Sequence, residues 1–494
     1  MTETIAPGQL AGEAHIPASK SHTIRALLIA SLAEGKSTLR SPLDSLDTAA
    51  CVRACRALGA SVEEVRSGGE LTEITVVGTG GSLHTPEDVV DVGNSGTTLY
   101  LGMGTAALSG GLTVFTGDEQ IRRRSAAPLL EALSELGATA LSTRDNGCAP
   151  IVVGGGLRPA HISLESPTSQ YLSSLLLAVP LARCSGAGGT EVEAGAWVGP
   201  GDRDGVGAAA GAATEPCETH IELLLLNERP YVEMTLWWLD AQGIRYRREG
   251  FDHFFVPAGQ SYRPFEARVP GDFSSATFLA CAAAITGSRV TLRGLDVSDP
   301  QGDKAVLSIL EQMGCTVEYG AEAVTMAGPA EAFDGAAGHA RARLGGGSFD
   351  LNAIPDALPA LAATACFSRE PVALTNVAQA RAKETDRVAV MSRELTKMGG
   401  AVEERPDGLR IVPAALAAGG DGMHGGESTT AGTPPLRGAA VDGHSDHRVV
   451  MALAVAALGA AGATEISTAE AAAVTFPGFF DLLRSLHAPG DGEA

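Results

Sequence analysis

Lys397-Met398-Gly399-Gly400-Ala401-Val402 ends an amphipathic helix pattern at glycine and passes directly into a short strand pattern. Glycine suits the residue just past a helix because the left-handed backbone needed there carries no Cβ penalty. The same ending stands at Ala57-Leu58-Gly59-Ala60-Ser61-Val62, Glu135-Leu136-Gly137-Ala138-Thr139, Ala241-Gln242-Gly243-Ile244 and Gln312-Met313-Gly314-Cys315-Thr316-Val317. The recurrence defines an α/β module of about 80 residues. A sixth helix, residues 479–486, has no strand after it. A strand near residues 12–16 is therefore expected to complete the last module and to bring both termini into one domain. Six modules in two groups of three are the simplest architecture for a chain of 494 residues, which is too long for one ordinary core.

Two stretches, about 185–216 and 414–438, are rich in Gly and Ala and break the rhythm; they read as flexible insertions. The net charge of −22 argues against nucleic acid and anionic membrane as partners. An anionic small molecule fits only if the few cations are concentrated in particular motifs. The longest apolar run, residues 449–463, is shorter than the roughly 20 residues of a membrane span and reads as a buried helix. Met1-Thr2-Glu3-Thr4 has neither the basic nor the apolar region of a secretory signal. The eight cysteines (51, 55, 148, 184, 217, 281, 315 and 366) are scattered, and only Cys51 and Cys55 are close. Reduced thiols in the cytoplasm are expected, with no zinc site.

Of 36 basic residues only five are Lys, and one of them lies in Pro17-Ala18-Ser19-Lys20-Ser21-His22-Thr23-Ile24-Arg25. Ser19 or Ser21 is the candidate N-cap of a helix pattern ending near Gly35. Lys20 adds charge to a helix N-terminus that already suits an anion, and Ser21 and Arg25 share a face. Asp47 is placed to cap the next helix. Gly93-Asn94-Ser95-Gly96-Thr97 has the form of an anion loop, with backbone N–H groups accessible at a helix start. Arg122, Arg123 and Arg124 precede another helix, and Thr168-Ser169-Gln170 puts hydroxyls and an amide at the start of a further one. Ile354-Pro355-Asp356 brings a carboxylate to a helix start, and residues 381–387 pack five charges into seven positions. Asp446-His447-Arg448 opens the apolar run. Singly, each has a plain structural reading as a cap, a turn or a solvated face.

In order along the chain, Lys20-Ser21 with Arg25, Gly93-Asn94-Ser95-Gly96-Thr97, Arg124, Thr168-Ser169-Gln170, Gly271-Asp272, Ile354-Pro355-Asp356, Lys383-Glu384-Thr385-Asp386-Arg387 and Asp446-His447-Arg448 resemble the enolpyruvyl transferases. Within that family they resemble the branch acting on shikimate 3-phosphate. The resemblance implies an α/β (α+β) fold of two domains, each of three βαβαββ-type modules, with ligands in the cleft between them. The domains expected are 1–17 plus 265–494, and 18–264. It implies shikimate 3-phosphate contacts from Lys20, Ser21, Arg25, Thr168, Ser169, Gln170, Asp356 and Lys383. Phosphoenolpyruvate contacts are implied for Lys20, Gly96, Arg124, Arg387 and Arg448. Lys20, Asp356 and Glu384 are the implied catalytic groups: Asp356 the base for the acceptor's 5-hydroxyl, Glu384 near the methylene carbon, with Lys20 able to share proton transfer. No metal or organic cofactor is implied, and a monomer is expected.

The chain departs from the family pattern at Val474, where a Lys is common, at Glu228, where a Ser is expected beside the phosphate, and at Gln379, where Asn is usual. Tyr100 or Leu101 replaces an Arg that often follows the anion loop. Two other readings stand beside this one. The enzyme acting on UDP-N-acetylglucosamine keeps a reactive Cys in the loop that here is Gly117-Asp118-Glu119-Gln120. A non-catalytic anion-binding relative would fit Val474 and Glu228, but not the retention of Asp356 and Glu384.

Overall fold

A computed structural model describes residues 1–184, 217–413, 416 and 434–487 of the chain. The insertion at 185–216, and most of that at 414–438, lie outside the described residues. All five signature glycines are left-handed, with φ of +106° at Gly59, +90° at Gly137, +68° at Gly243, +100° at Gly314 and +92° at Gly399. In each, the next N–H reaches back to close the helix, as Ala60 does to the Cys55 carbonyl and Gly400 to that of Leu395. The strands that follow, among them Ser61–Ser67, Thr139–Ser142, Thr316–Tyr319 and Ala401–Arg405, each pair antiparallel with the next strand in sequence.

Among the described residues, each of the five four-stranded sheets also contains one parallel pair. His161–Ser166, for example, runs parallel to Glu218–Leu226, which pairs antiparallel with His253–Pro257. Behind the sheets lie helices that, beyond the site residues of their first two turns, are apolar or small on every side and hence buried: Lys20–Leu32, Gly96–Ala107, Ser169–Ala178, Phe273–Thr286, Leu358–Ala365 and His447–Gly459. Close approach requires glycine at one point, since a Cβ on Gly104 would sit 2.5 Å from Ser174 Oγ. The buried apolar residues form two clusters, one spanning Ile24 to Tyr262, the other Ile5 to Ile16 with Phe273 to Leu486.

The N-terminal strand differs from expectation. Ala11–His15 joins Arg289–Arg293 in the fourth sheet, and it is Thr2–Ile5 that adds to the last one, antiparallel to Thr464–Ser467. Both strands lie with the second cluster, but their pairing is set by tertiary contacts that a helix count does not contain. A complementary exchange occurs at Glu266–Arg268, which runs parallel to Glu34–Arg40 in the first sheet. The two crossing segments are stitched together, Ser19 N–H donating to the Pro270 carbonyl (2.8 Å) and Asp272 N–H to that of Pro17 (2.9 Å). The first buried helix stops at Leu32, short of Gly35, which lies in the next strand.

The cysteines also require a correction. Cys184 and Cys217 form a disulfide, with Cα atoms 5.7 Å apart, while the other six are free and buried. Ala258 N–H donates to the Cys217 carbonyl and Gly259 N–H to that of Ala182, so the two chain ends converge on one turn. Residues 33 apart in sequence gave no hint of this. Among the described residues, no helix is long and apolar enough to cross a membrane.

Candidate active site

Ser19 caps the first buried helix, its Oγ accepting from His22 N–H at 3.4 Å, and so sets Lys20 in the first turn. Lys20 Nζ lies 3.3 Å from Asp47 Oδ2, both side chains mostly buried. Asp47 is therefore not the cap of its own helix. Ser45 takes that role, accepting from Thr48 N–H at 3.3 Å, because its extended backbone just outside the helix suits a cap and Asp47 is already inside the first turn. One turn beyond Lys20, Arg25 is 1% exposed. It donates to Thr235 Oγ1 (2.8 Å), Ser173 Oγ (3.3 Å) and the carbonyls of Ser21 (3.1 Å) and Tyr231 (3.0 Å). With only neutral oxygens as partners, burial pulls its pKa down to about 10.

Arg124 leaves the short turn Ile121–Arg123 with Nη2 3.4 Å from Asn94 Oδ1 and 3.3 Å from Glu384 Oε1. Its buried Nε has no partner among the described residues. Gly96 begins the helix behind it, where any Cβ would fall 2.6 Å from Arg124 Nη1. That absence of a side chain is what lets the guanidinium lie across the helix start.

The facing wall is built around Arg387, also 1% exposed. It donates to Asp356 Oδ1 (2.8 Å), to both oxygens of Asp446 (2.9 and 3.1 Å) and to Glu384. Arg448 Nη2 reaches Asp356 Oδ2 at 2.9 Å. Burial by itself would raise the Asp356 pKa, but Arg448, Lys383 and Arg387 outweigh it and hold the carboxyl far below its ordinary range. Arg387 and Arg124 do the same to Glu384 against its burial. His447 is pushed down to about 3 by burial, and so is neutral. Lys383, Glu384 and Thr385 precede the helix Arg387–Lys397 rather than forming a helical turn with it; Asp386 caps it, accepting from Ala389 N–H at 3.0 Å.

Between the walls, Lys20, Ser21, Arg25, Ser169, Gln170, Asp356 and Lys383 line one cavity together with Glu228 and Tyr231. Thr168 borders it through Glu228, to which its Oγ1 donates at 3.0 Å. The thirteen residues expected to bind ligand or act in catalysis thus fall in one connected region, with Gly96, Arg124, Glu384, Arg387 and Arg448 joined by the contacts above; Arg123 instead pairs with Glu119 at the surface. Sequence reasoning missed Asp47 as the partner of Lys20, Asp446 as the bidentate partner of Arg387, and the pair Tyr231–Asp303, whose hydroxyl-to-carboxylate bond is 2.6 Å. Burial, with Asp356 nearby, pushes Asp303 up to about 7. A lone Asp in the short 3-10 turn Gly302–Lys304 carries no local signal that could have singled it out.

The sequence matches the family described as EPSP synthase (3-phosphoshikimate 1-carboxyvinyltransferase) over residues 5–193 and 208–483. A 3-phosphoshikimate 1-carboxyvinyltransferase of Acetivibrio thermocellus is 46% identical over 472 residues, spanning 96% of this chain and 95% of that protein. One from Methanocella arvoryzae is 40% identical over 491 residues, 99% of each. The solved EPSP synthase from Acinetobacter baumannii superposes with a TM-score of 0.71 at 26% identity, over 98% of both chains. With the α/β architecture and the converging basic groups, these similarities make the chain a member of the EPSP synthase family.

Proposed function

We propose that the chain transfers the carboxyvinyl group of phosphoenolpyruvate to the 5-hydroxyl of shikimate 3-phosphate and releases phosphate. The observation that carries this is the run of ion pairs joining Arg124, Arg387 and Arg448 to the carboxylates of Glu384 and Asp356, with Asp356 lining the same cavity as Lys20. The proposed division is into domains 1–17 plus 265–494 and 18–264, with the reaction between them. The protein acts as a cytoplasmic monomer without metal or organic cofactor.

Shikimate 3-phosphate is held by Lys20, Ser21, Arg25, Thr168, Ser169, Gln170, Asp356 and Lys383. Phosphoenolpyruvate is held by Lys20, Gly96, Arg124, Arg387 and Arg448. Asp356, kept ionised by its arginines, takes the 5-hydroxyl proton as that oxygen attacks C2 of phosphoenolpyruvate. The methylene carbon gains a proton from the Glu384–Lys20 side, giving a tetrahedral intermediate. Loss of that proton with departure of phosphate then forms the enol ether. In the free site both carboxyls bind protons weakly. When the substrate's carboxylate and phosphate engage Arg124, Arg387 and Arg448, the field on Asp356 and Glu384 is partly cancelled and their proton affinities rise toward what proton transfer needs. Val474 offers no charge, so Lys20 carries a larger share of the phosphoenolpyruvate charge.

The test is phosphate release from phosphoenolpyruvate with shikimate 3-phosphate, with UDP-N-acetylglucosamine, or with neither. Release with the first alone is expected; release only with the second, or with none, overturns the reading.

A further inference from the structure

Glu228 is a carboxylate of the cavity whose charge opposes an anionic acceptor while its contacts mimic one. It stands just before the helix Arg229–Gln242 with φ of +60°, a backbone region that non-glycine residues seldom enter, and it is 2% exposed. Its Oε2 accepts from Thr168 Oγ1 (3.0 Å), Ser169 N–H (3.0 Å) and Ser169 Oγ (2.9 Å). Its Oε1 accepts from Lys383 Nζ (2.5 Å). Two hydroxyls, a backbone N–H at the start of a ten-residue helix and an ammonium thus converge on a single carboxylate. This is the donor set expected around a phosphate.

We infer that Glu228 is a specificity-determining residue: its carboxylate fills the acceptor's phosphate subsite, so a phosphorylated acceptor binds only by displacing it. The inference rests on the acceptor assignment made above. Thr168, Ser169 and Lys383 are the groups assigned to the 3-phosphate, and a phosphate dianion and a carboxylate cannot share the same donors in a water-poor site without strong repulsion. Displacement moves the Glu228 side chain away from donors on both walls. The affinity for shikimate 3-phosphate is thereby lowered, while an acceptor with a free hydroxyl at that position escapes the competition and can donate to the carboxylate.

Calorimetric titration of shikimate 3-phosphate and of unphosphorylated shikimate into the wild type, Glu228→Ser and Glu228→Gln separates the possibilities. Glu228→Ser is expected to bind shikimate 3-phosphate at least tenfold more tightly, with shikimate unchanged or weaker. Glu228→Gln keeps the shape without the charge and should move in the same direction, which preserves the test if the serine variant folds poorly. Unchanged or weakened binding of shikimate 3-phosphate in the variants overturns the inference, and parallel loss of both ligands identifies a merely structural carboxylate. A wild type that turns over shikimate 3-phosphate while the variants fail to tighten defeats this inference alone. A wild type that neither binds nor turns it over defeats the proposed function as well.

Discussion

Arg25 and Arg387 are equally buried, yet the walls they belong to are opposite in kind. Arg25 is surrounded by hydroxyls and carbonyls, and its proton affinity is pulled down by lost hydration. Arg387 is gripped by Asp446, Asp356 and Glu384, which raise its pKa despite the same burial. A buried cation with neutral partners has neither water nor a counter-charge, so an incoming anion completes its surroundings. A cation already matched by carboxylates offers an anion less attraction, but any anion that does bind there redistributes charge among groups able to move protons. One wall is therefore suited to holding an anion and the other to changing protonation.

The sharpest way to break this contrast is to remove the proposed base. Asp356→Asn keeps the shape, leaves Arg387 with Asp446 and Glu384, and still offers Arg448 an amide oxygen to donate to, so folding should survive. Turnover should fall about 10²- to 10⁴-fold, the range expected for a lost general base. Single-turnover kinetics with both ligands saturating checks this, and a rate within tenfold of wild type removes Asp356 from the chemistry.

Next in size is a paired experiment on the two arginines. Arg387→Met strands the carboxylates that surround it and should lower stability by about 3–5 kcal/mol. Arg25→Met strands none and should leave urea stability within about 1 kcal/mol, its effect appearing instead as roughly 100-fold weaker binding of shikimate 3-phosphate. Equal destabilisation by both would erase the distinction between the walls.

The same contrast explains what was legible beforehand. The five helix ends were readable because a left-handed residue after a helix is a local demand with a local answer, glycine. The basic residues of the site were readable because they stand in short motifs at helix starts. Asp446 bonding Arg387 from 59 residues away, Lys20 reaching Asp47 and the Cys184–Cys217 pair were not, because each depends on how modules are packed together. The exchange that puts Ala11–His15 beside Arg289–Arg293 is of that kind too. Glu228 is intermediate: as an odd substitution it was visible, but that its carboxylate sits on Thr168, Ser169 and Lys383 could come only from three dimensions.

A smaller effect on the arginine–carboxylate wall concerns pH. His447 has a folded pKa of about 3, below the roughly 6.5 of an unfolded histidine. Its stability contribution is complete above pH 6.5 and declines as the pH falls, because the unfolded chain takes up the proton first. At about 1.4 kcal/mol per pH unit, the loss between pH 6.5 and 5 should be about 2 kcal/mol. The carboxyls of Asp356, Glu384 and Asp446 are all lowered, so their losses fall at more acid pH. Urea unfolding of the wild type and His447→Gln across this window checks the assignment. An identical slope in both would mean that the imidazole is not buried in the neutral form.

The smallest test lies on the opposite wall and separates two neighbours, of which the sequence alone made Asp47 the cap. If Ser45 caps its helix, Ser45→Ala should lower stability by about 1 kcal/mol, because the Thr48 N–H loses its acceptor. Asp47 lies inside the first turn, where its charge faces Lys20 and its burial opposes ionisation. Asp47→Asn removes a carboxylate that competes for Lys20 and should tighten phosphoenolpyruvate binding several-fold while sparing the cap. Stability curves and phosphoenolpyruvate titrations on the two variants give a crossed pattern if the assignments hold. If Ser45→Ala takes no stability loss, Ser45 is not the cap, and if Asp47→Asn leaves phosphoenolpyruvate binding unchanged, Asp47 does not compete for Lys20.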